Sequence, residues 1–381
     1  LPQVLRRGTA KLPDLRAIGE ALDELYGARI ESAVRKEGET LCIGFLSDCI
    51  DEAYAPGAAG LTARVIRLLA DLLYDPYLQD GVFCPDYTAG ERENLIDRIA
   101  AQKNDPRSWA PKRLTELMCN DEAYGQPALG TTEQARKITE KKLYAAYQRA
   151  LGEAQVELFY CGTMAPDAVE ALFADTPLVR QRAGAPYQPQ TQIVAQPAGA
   201  PREVIEEEQV TQGKLSLGFR TGGHCLTGGD PAACWMFQTL YGGSTSSKLF
   251  LNVRERKSLC YYASAQFIAS KGLMMVNSGI ENKDFETARD EIVRQLEACR
   301  AGDITDAEIE SARKTLTTNW RAMLDDPLTL ERYWLGQAAA GTLVAPEERI
   351  AQVQGVTRKR IVAAAQATAL DTVYFMKGAA Q

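Results

Sequence analysis

The sequence predicts an α+β fold of two homologous domains, each a mostly antiparallel sheet covered by helices, with the first domain shortened at its front. Three observations predict it. The segment ITEKKLYAAYQRAL (138–151) matches VTRKRIVAAAQATA (356–369) at an offset of 218, with Thr139/Thr357, Lys141/Lys359, Ala145/Ala363, Ala146/Ala364 and Gln148/Gln366 identical. Two runs, RIESAVRKEGETLCIGFLSD (29–48) and YYASAQFIASKGLMMVNSGI (261–280), each read as two strands joined by a tight turn, at Lys36-Glu37-Gly38 and Ser270-Lys271-Gly272. Between the halves, residues 177–201 carry prolines 177, 186, 189, 197 and 201 with Gly184 and Gly199, which is linker composition. The predicted domains are 1–176 and 202–381, joined by the linker 177–201.

The elements follow in order along each half. After the first hairpin, Leu61, Val65, Ile66, Leu69, Leu72 and Leu73 fall on one helical stripe. Phe285, Ile292, Leu296 and Cys299 do the same after the second. Asn104-Asp105-Pro106 and Asp325-Asp326-Pro327 interrupt helical patterns at an offset of 221. The repeated helices each begin at a threonine suited to cap them. Beyond them VELFYCG (156–162) and TVYFMKG (372–378) read as a strand followed by glycine, at an offset of 216. Two further strand-like runs, VIEEEQV (204–210) and KLSLGFRT (214–221), open the second half. Aligning the hairpin turns, at an offset of 234, carries Leu1 to Trp235, whereas the second half opens near Arg202. The first half is therefore expected to lack about 33 residues (235 minus 202), a strand pair.

Composition narrows the function classes. The 381 residues are 45% hydrophobic and 24% charged, ordinary for a globular protein with sizeable cores. Net charge is -7, so no global positive field gathers phosphate backbones, and a nucleic-acid partner is not expected. No apolar run approaches the roughly 20 residues of a membrane span, and no signal-peptide pattern opens the chain. The nine cysteines never occur as C-x-x-C and sit mostly in apolar runs, as buried thiols of a reducing cytoplasm would. One histidine, His224, excludes sites built from several imidazoles. Its setting, TGGHCLTGGD, reads as a turn at a strand end. Glu206-Glu207-Glu208 reads as a solvated strand face. Gly242-Gly243-Ser244-Thr245-Ser246-Ser247-Lys248 lacks the Gly-Lys-Ser/Thr ending of a phosphate loop and follows a helical run.

Chemistry concentrates in LYGGSTSSKLFLNVRERKSLCYYASA (240–265). It joins a glycine-rich turn (Gly242, Gly243, Ser244) to Arg254 and Tyr261, a planar donor fork and a neutral phenol that can hold a peptide carbonyl and the oxyanion formed on it. The alternative is that Arg254 pairs with a carboxylate and Tyr261 is a half-buried strand residue. The segment resembles the second-half signature of the insulinase/pitrilysin family of zinc metallopeptidases, which includes the mitochondrial processing peptidases. Members carry an arginine and, seven residues later, a tyrosine; Arg254 and Tyr261 keep that spacing. YGQPALG (124–130) is similar to the family's Tyr-Gly-x-x-x-x-Gly run.

The resemblance implies a fold of the LuxS/MPP-like metallohydrolase type, and it exposes a departure. Active members place H-x-x-E-H on a first-half helix and a glutamate ligand on a later one. Aligned on Gly8-Thr9, this chain has Pro2 in place of the catalytic glutamate and Gln3 in place of the second histidine; in ENLIDRIAAQKNDP, Arg98 takes the place of the distal glutamate. No metal or other cofactor is therefore expected on this chain. The implied role is a catalytically inactive subunit, of a type found in bacteria, that binds peptide and lends Arg254 and Tyr261 to a zinc-bearing homologous partner in the cytoplasm. Whether the isolated chain forms homodimers is left open. The alternative is a structural or interaction protein of the same fold without catalytic participation. An autonomous zinc peptidase is hard to reconcile with Pro2, Gln3 and Arg98.

Overall fold

The computed structural model describes residues 1–55, 57, 59–179 and 190–378. The first half runs α1 (Pro2–Leu5), α2 (Leu15–Asp23), β1 (Arg29–Glu37), β2 (Thr40–Asp48), α3 (Leu61–Tyr74), the short pair β3 (Leu78–Gln79) and β4 (Val82–Phe83), α4 (Pro85–Ala101), α5 (Pro106–Met118), α6 (Thr132–Arg136), α7 (Glu140–Glu153) and α8 (Pro166–Ala174). The second runs β5 (Arg202–Glu208), β6 (Gly213–Arg220), α9 (Pro231–Gly242), a π-helix (Leu249–Arg256), β7 (Tyr262–Ile268), β8 (Leu273–Ile280), α10 (Phe285–Arg300), α11 (Asp306–Met323), α12 (Pro327–Ala339), α13 (Pro346–Gln354), α14 (Arg358–Ala367) and β9 (Ala369–Gly378). Of the linker, Gly184, Pro186 and Pro189 lie outside the described residues.

Local chemistry sets these boundaries. The two Asp-Pro breaks are helix starts: Asp105 accepts the N–H groups of Arg107 and Ser108, Asp326 accepts that of Leu328, and the proline fills a first-turn position that needs no donor. Thr139 and Thr357 cap α7 and α14 by accepting from Lys142 and Arg360.

The chain divides into two compact units that do not follow the sequence halves. Leu1–Lys36, Leu41–Ala101 and Ala128–Gln188 form one, while Glu37–Thr40 and Gln102–Pro127 group with Pro189–Gln381 in the other. The second unit holds a five-stranded sheet of order β5-β9-β6-β8-β7, antiparallel except for β5 beside β9. Side chains alternate across it. Leu215, Leu217, Phe219, Val276, Val373 and Phe375 face a core with α9, α10, α11, α13 and α14. Leu273, Met275, Tyr374 and Met376 face Ala110, Leu114 and Met118 of α5 on the other side. Covered on both faces, β6 and β8 are buried almost throughout. Gly218 is what lets α5 lie so close, since a Cβ there would sit 2.5 Å from the Met118 sulfur.

The first unit packs α2, β1 and α3 through Ile18, Leu25, Ile30, Leu61, Val65 and Leu72. A smaller cluster joins Val4, Leu5, Phe83 and Tyr147, whose hydroxyl donates to the Leu73 carbonyl. Here one expectation fails: residues 156–162 form no strand, and Val156, Leu158 and Phe159 are exposed. The matching strand of the second unit, β9, lies between β5 and β6 and bonds to both. The first unit has no counterpart of those two strands among its described residues, so the run finds no ladder to join.

Candidate functional site

The segment carrying Arg254 and Tyr261 begins where α9 ends. Gly242 lies buried in its last turn, and a Cβ there would stand 2.8 Å from the Ala265 Cβ and the Leu249 Cδ1. The glycine thus serves close passage of α9 over β7. Ser244 shares a hydroxyl contact with Ser246. The following residues wind into the π-helix Leu249–Arg256, a wide turn that recurs at functional sites. Val253 points wholly inward; Arg254 points outward, with its guanidinium 4.7 Å over the Phe250 ring and 3.7 Å from Glu255. Ser258, with φ +51°, adopts the left-handed conformation as the chain turns toward β7.

Tyr261 precedes β7, is 61% exposed, and donates its hydroxyl to Glu281 at 2.7 Å. That bond and the carboxylate's charge hold its phenol above the ordinary value of 10. Between the pair lies Cys260. Burial raises its thiol pKa, while a hydrogen bond with Ser278 and the positive charge of Arg254 partly offset the rise. The segment presents a cation and a phenol to solvent, and Glu281, twenty residues on, is a neighbour that no motif announces.

The first-unit positions assigned by resemblance behave differently. Pro2 and Gln3 lie on α1, and Arg98 on α4 is exposed. The α4 carboxylate beside α1 is Glu91, two helical turns from Arg98, and it is held by Arg7 at 2.6 Å. No group of three or more His, Cys, Asp or Glu side chains among the described residues could hold a metal ion. Proline and glutamine on α1 with a neutralised Glu91 do not fit zinc, whose sites need three or four anionic or imidazole ligands.

Other singled-out residues are structural. The His224 Nδ1 accepts the N–H of Asp230, which caps α9 and pairs with Arg360. Six of the nine cysteines are buried, and burial pushes the thiols of Cys119 and Cys299 up to about 12. Glu206 is bound by Arg113 and Tyr374, Glu207 by Lys377 and Glu208 by Lys103.

A second polar cluster lies buried in the second unit. Lys271, fully inaccessible at the β7–β8 turn, bonds Glu39 and Glu122, each at 2.6 Å. Glu122 also accepts from Arg220 at 2.7 Å, and Arg220 bonds Asp371 at 2.9 Å. Charges alternate along the chain of five. Burial acts to raise the Glu122 pKa, but hydrogen bonds and charge from Arg220 and Lys271 outweigh it and hold the carboxyl below its ordinary 4.5.

Comparison with known proteins agrees with this anatomy. A family model described as "Peptidase M16 inactive domain" matches residues 137–316. The chain is 34% identical to a "Probable inactive metalloprotease YmfF" of Bacillus subtilis over 99% of its own length and 88% of the relative's. It is 25% identical to an uncharacterized zinc protease of Mycobacterium leprae over 79% of this chain and 67% of that one. A conserved protein of Enterococcus faecalis superposes with a TM-score of 0.86 at 28% identity, covering 100% of this chain and 89% of that one. A peptidase M16 inactive domain of Pseudomonas fluorescens gives 0.77 at 17% identity, covering 100% and 88%, and so shares the fold. The chain belongs to the peptidase M16 family, as one of its inactive, peptidase-like members.

Proposed function

We propose that this chain is the non-catalytic subunit of a heterodimeric zinc metallopeptidase, acting in the cytoplasm, that binds peptide and supplies Arg254 and Tyr261 to a zinc-bearing homologous partner. The observation that carries the reading is a contrast: Arg254, half-buried, and Tyr261, exposed, stand on one buttressed segment, while the α1 and α4 positions offer no ligand set. In such a division the partner's metal polarises water and carbonyl. Arg254 holds the carbonyl as a fixed cation, and Tyr261 turns its hydroxyl from Glu281 toward the developing oxyanion. Matched segments in the two halves, capped alike at Thr139 and Thr357 and at Asp105 and Asp326, support a duplicated two-domain origin.

The test is reconstitution with the zinc-bearing homologue of the same genome. Arg254→Ala and Tyr261→Phe should each lower kcat/KM by roughly 10²- to 10³-fold. Wild-type turnover by both would remove the catalytic role. A second reading, an interaction protein with no catalytic part, draws on the fact that both groups already have partners within the chain, Phe250 and Glu281. It would be favoured if the chain self-associates, binds no peptide and leaves every zinc-bearing homologue's activity unchanged.

A further inference from the structure

The π-helix that carries Arg254 is held from outside. A π-helix is rare and occurs mostly as a single turn within an α-helix, so a run from Leu249 to Arg256 calls for tertiary support. That support comes from one face of α10. Glu291, 3% exposed, accepts from Lys257 at 2.6 Å, from Gln295 at 2.6 Å, and from both ends of the Arg294 guanidinium at 2.6 and 2.9 Å. Gln295 in turn accepts from Asn252 at 2.7 Å, and Asn252 accepts from Arg256 at 3.0 Å. Residues 252, 256 and 257 are thereby tied, directly or through one or two neighbours, to a single buried carboxylate. Val253 is pinned by complete burial. Arg254 lies between these anchors with no tie to α10 among the described contacts, so its direction is inherited from theirs.

We infer that Glu291 is a positioning residue for Arg254: through Lys257 and through Gln295 and Asn252 it fixes the rotation of the π-helical turn, and so the direction in which the guanidinium is presented. The inference rests on the reading of Arg254 as a substrate-binding group. Its physical content is rotational, because a slip of one residue toward α-helical winding turns a side chain by roughly 100°. Loss of the carboxylate's charge should leave the fold standing. Lys257 and Arg294 have side chains 44% and 63% exposed and can take water in place of Glu291.

The experiment is a double-mutant cycle in the reconstituted complex with the zinc-bearing homologue, using Glu291→Gln, Arg254→Ala and their combination, with kcat and KM measured separately and thermal unfolding followed alongside. Glu291→Gln should lower kcat/KM roughly ten- to a hundredfold, the scale of a misplaced catalytic group. It should produce no further loss once Arg254 is alanine. An equal loss in both backgrounds, or no loss where Arg254→Ala is impaired, overturns the positioning role while leaving the subunit reading intact. Wild-type activity of Arg254→Ala overturns both. Lys257→Met cuts the same tie from its exposed end and repeats the cycle should Glu291→Gln not fold.

Discussion

Replacing Lys271 by methionine should destabilise the second unit more than any surface substitution. The ammonium is fully buried and shared by Glu39 and Glu122, each at 2.6 Å. Methionine fills nearly the same volume but leaves two carboxylates without their shared cation, and Glu122 keeps Arg220 as its one salt-bridge partner among the described residues. Removing one partner of a buried ion pair costs roughly 3–5 kcal/mol. For a domain of this size that corresponds to a fall in Tm of about 6–20 °C, at about 2–4 °C per kcal/mol. Differential scanning calorimetry at pH 7 would measure it, with near-UV circular dichroism confirming that the variant starts folded. The triple variant Glu39→Gln, Glu122→Gln, Lys271→Met should recover at least half of the loss, because stranded charge and not lost attraction carries most of the penalty. Acid should act on the same cluster. Glu122 titrates below its ordinary 4.5 when folded, so its contribution is complete above about 4.5 and disappears as pH falls through the depressed value. Glu122→Gln should flatten that part of the stability profile. A Lys271→Met midpoint within 2 °C of wild type would refute the reasoning.

The Tyr261 phenol should titrate above 10 in ultraviolet difference spectra, and Glu281→Gln should return it toward 10; unchanged titration would show that the bond to Glu281 is not held in solution. Gly242→Ala should cost roughly 1–3 kcal/mol in urea unfolding, as overpacking between α9 and β7 does, and an unchanged midpoint would mean the 2.8 Å approach relaxes freely. Thiol titration of the native protein should label Cys49 and Cys161 first, while Cys119, Cys234 and Cys299 react only on unfolding, since burial raises their pKa values and denies access. Rapid modification of those three under native conditions would contradict the described burial.

Much of this anatomy could be read from the letters. Helix starts at Thr139, Thr357, Asp105 and Asp326 follow from local capping chemistry, which a short window of sequence contains. Both hairpins announce themselves by apolar runs around a glycine turn. Arg254 and Tyr261 stand out as a donor fork and a phenol in one polar segment, and their spacing carries meaning only through the family resemblance. What escaped depends on partners distant in sequence. Residues 156–162 have the composition of a strand, yet strand formation needs neighbours that composition does not name. Lys271 sits at a turn, where lysine is ordinarily solvated, and only the arrival of Glu39 and Glu122 buries it. Glu291 looks like any polar position on an amphipathic helix until the π-helix is laid beside it. The π-helix itself has no residue signature to distinguish it from the α-helix that its apolar spacing suggests.

Because α5 forms one wall of the second unit, the order of synthesis matters. Residues 106–118 leave the ribosome long before β6, β8 and β9, the strands they cover, and β9 is the last described element of the chain. At roughly 5–20 residues per second, α5 waits on the order of ten seconds or more with Leu114 and Met118 uncovered. The second unit cannot close until β9 has been made. A gene divided at the linker would part the sheet from its own wall, leaving Leu273, Met275, Tyr374 and Met376 open to aggregation, whereas the two pieces made together could assemble through α5.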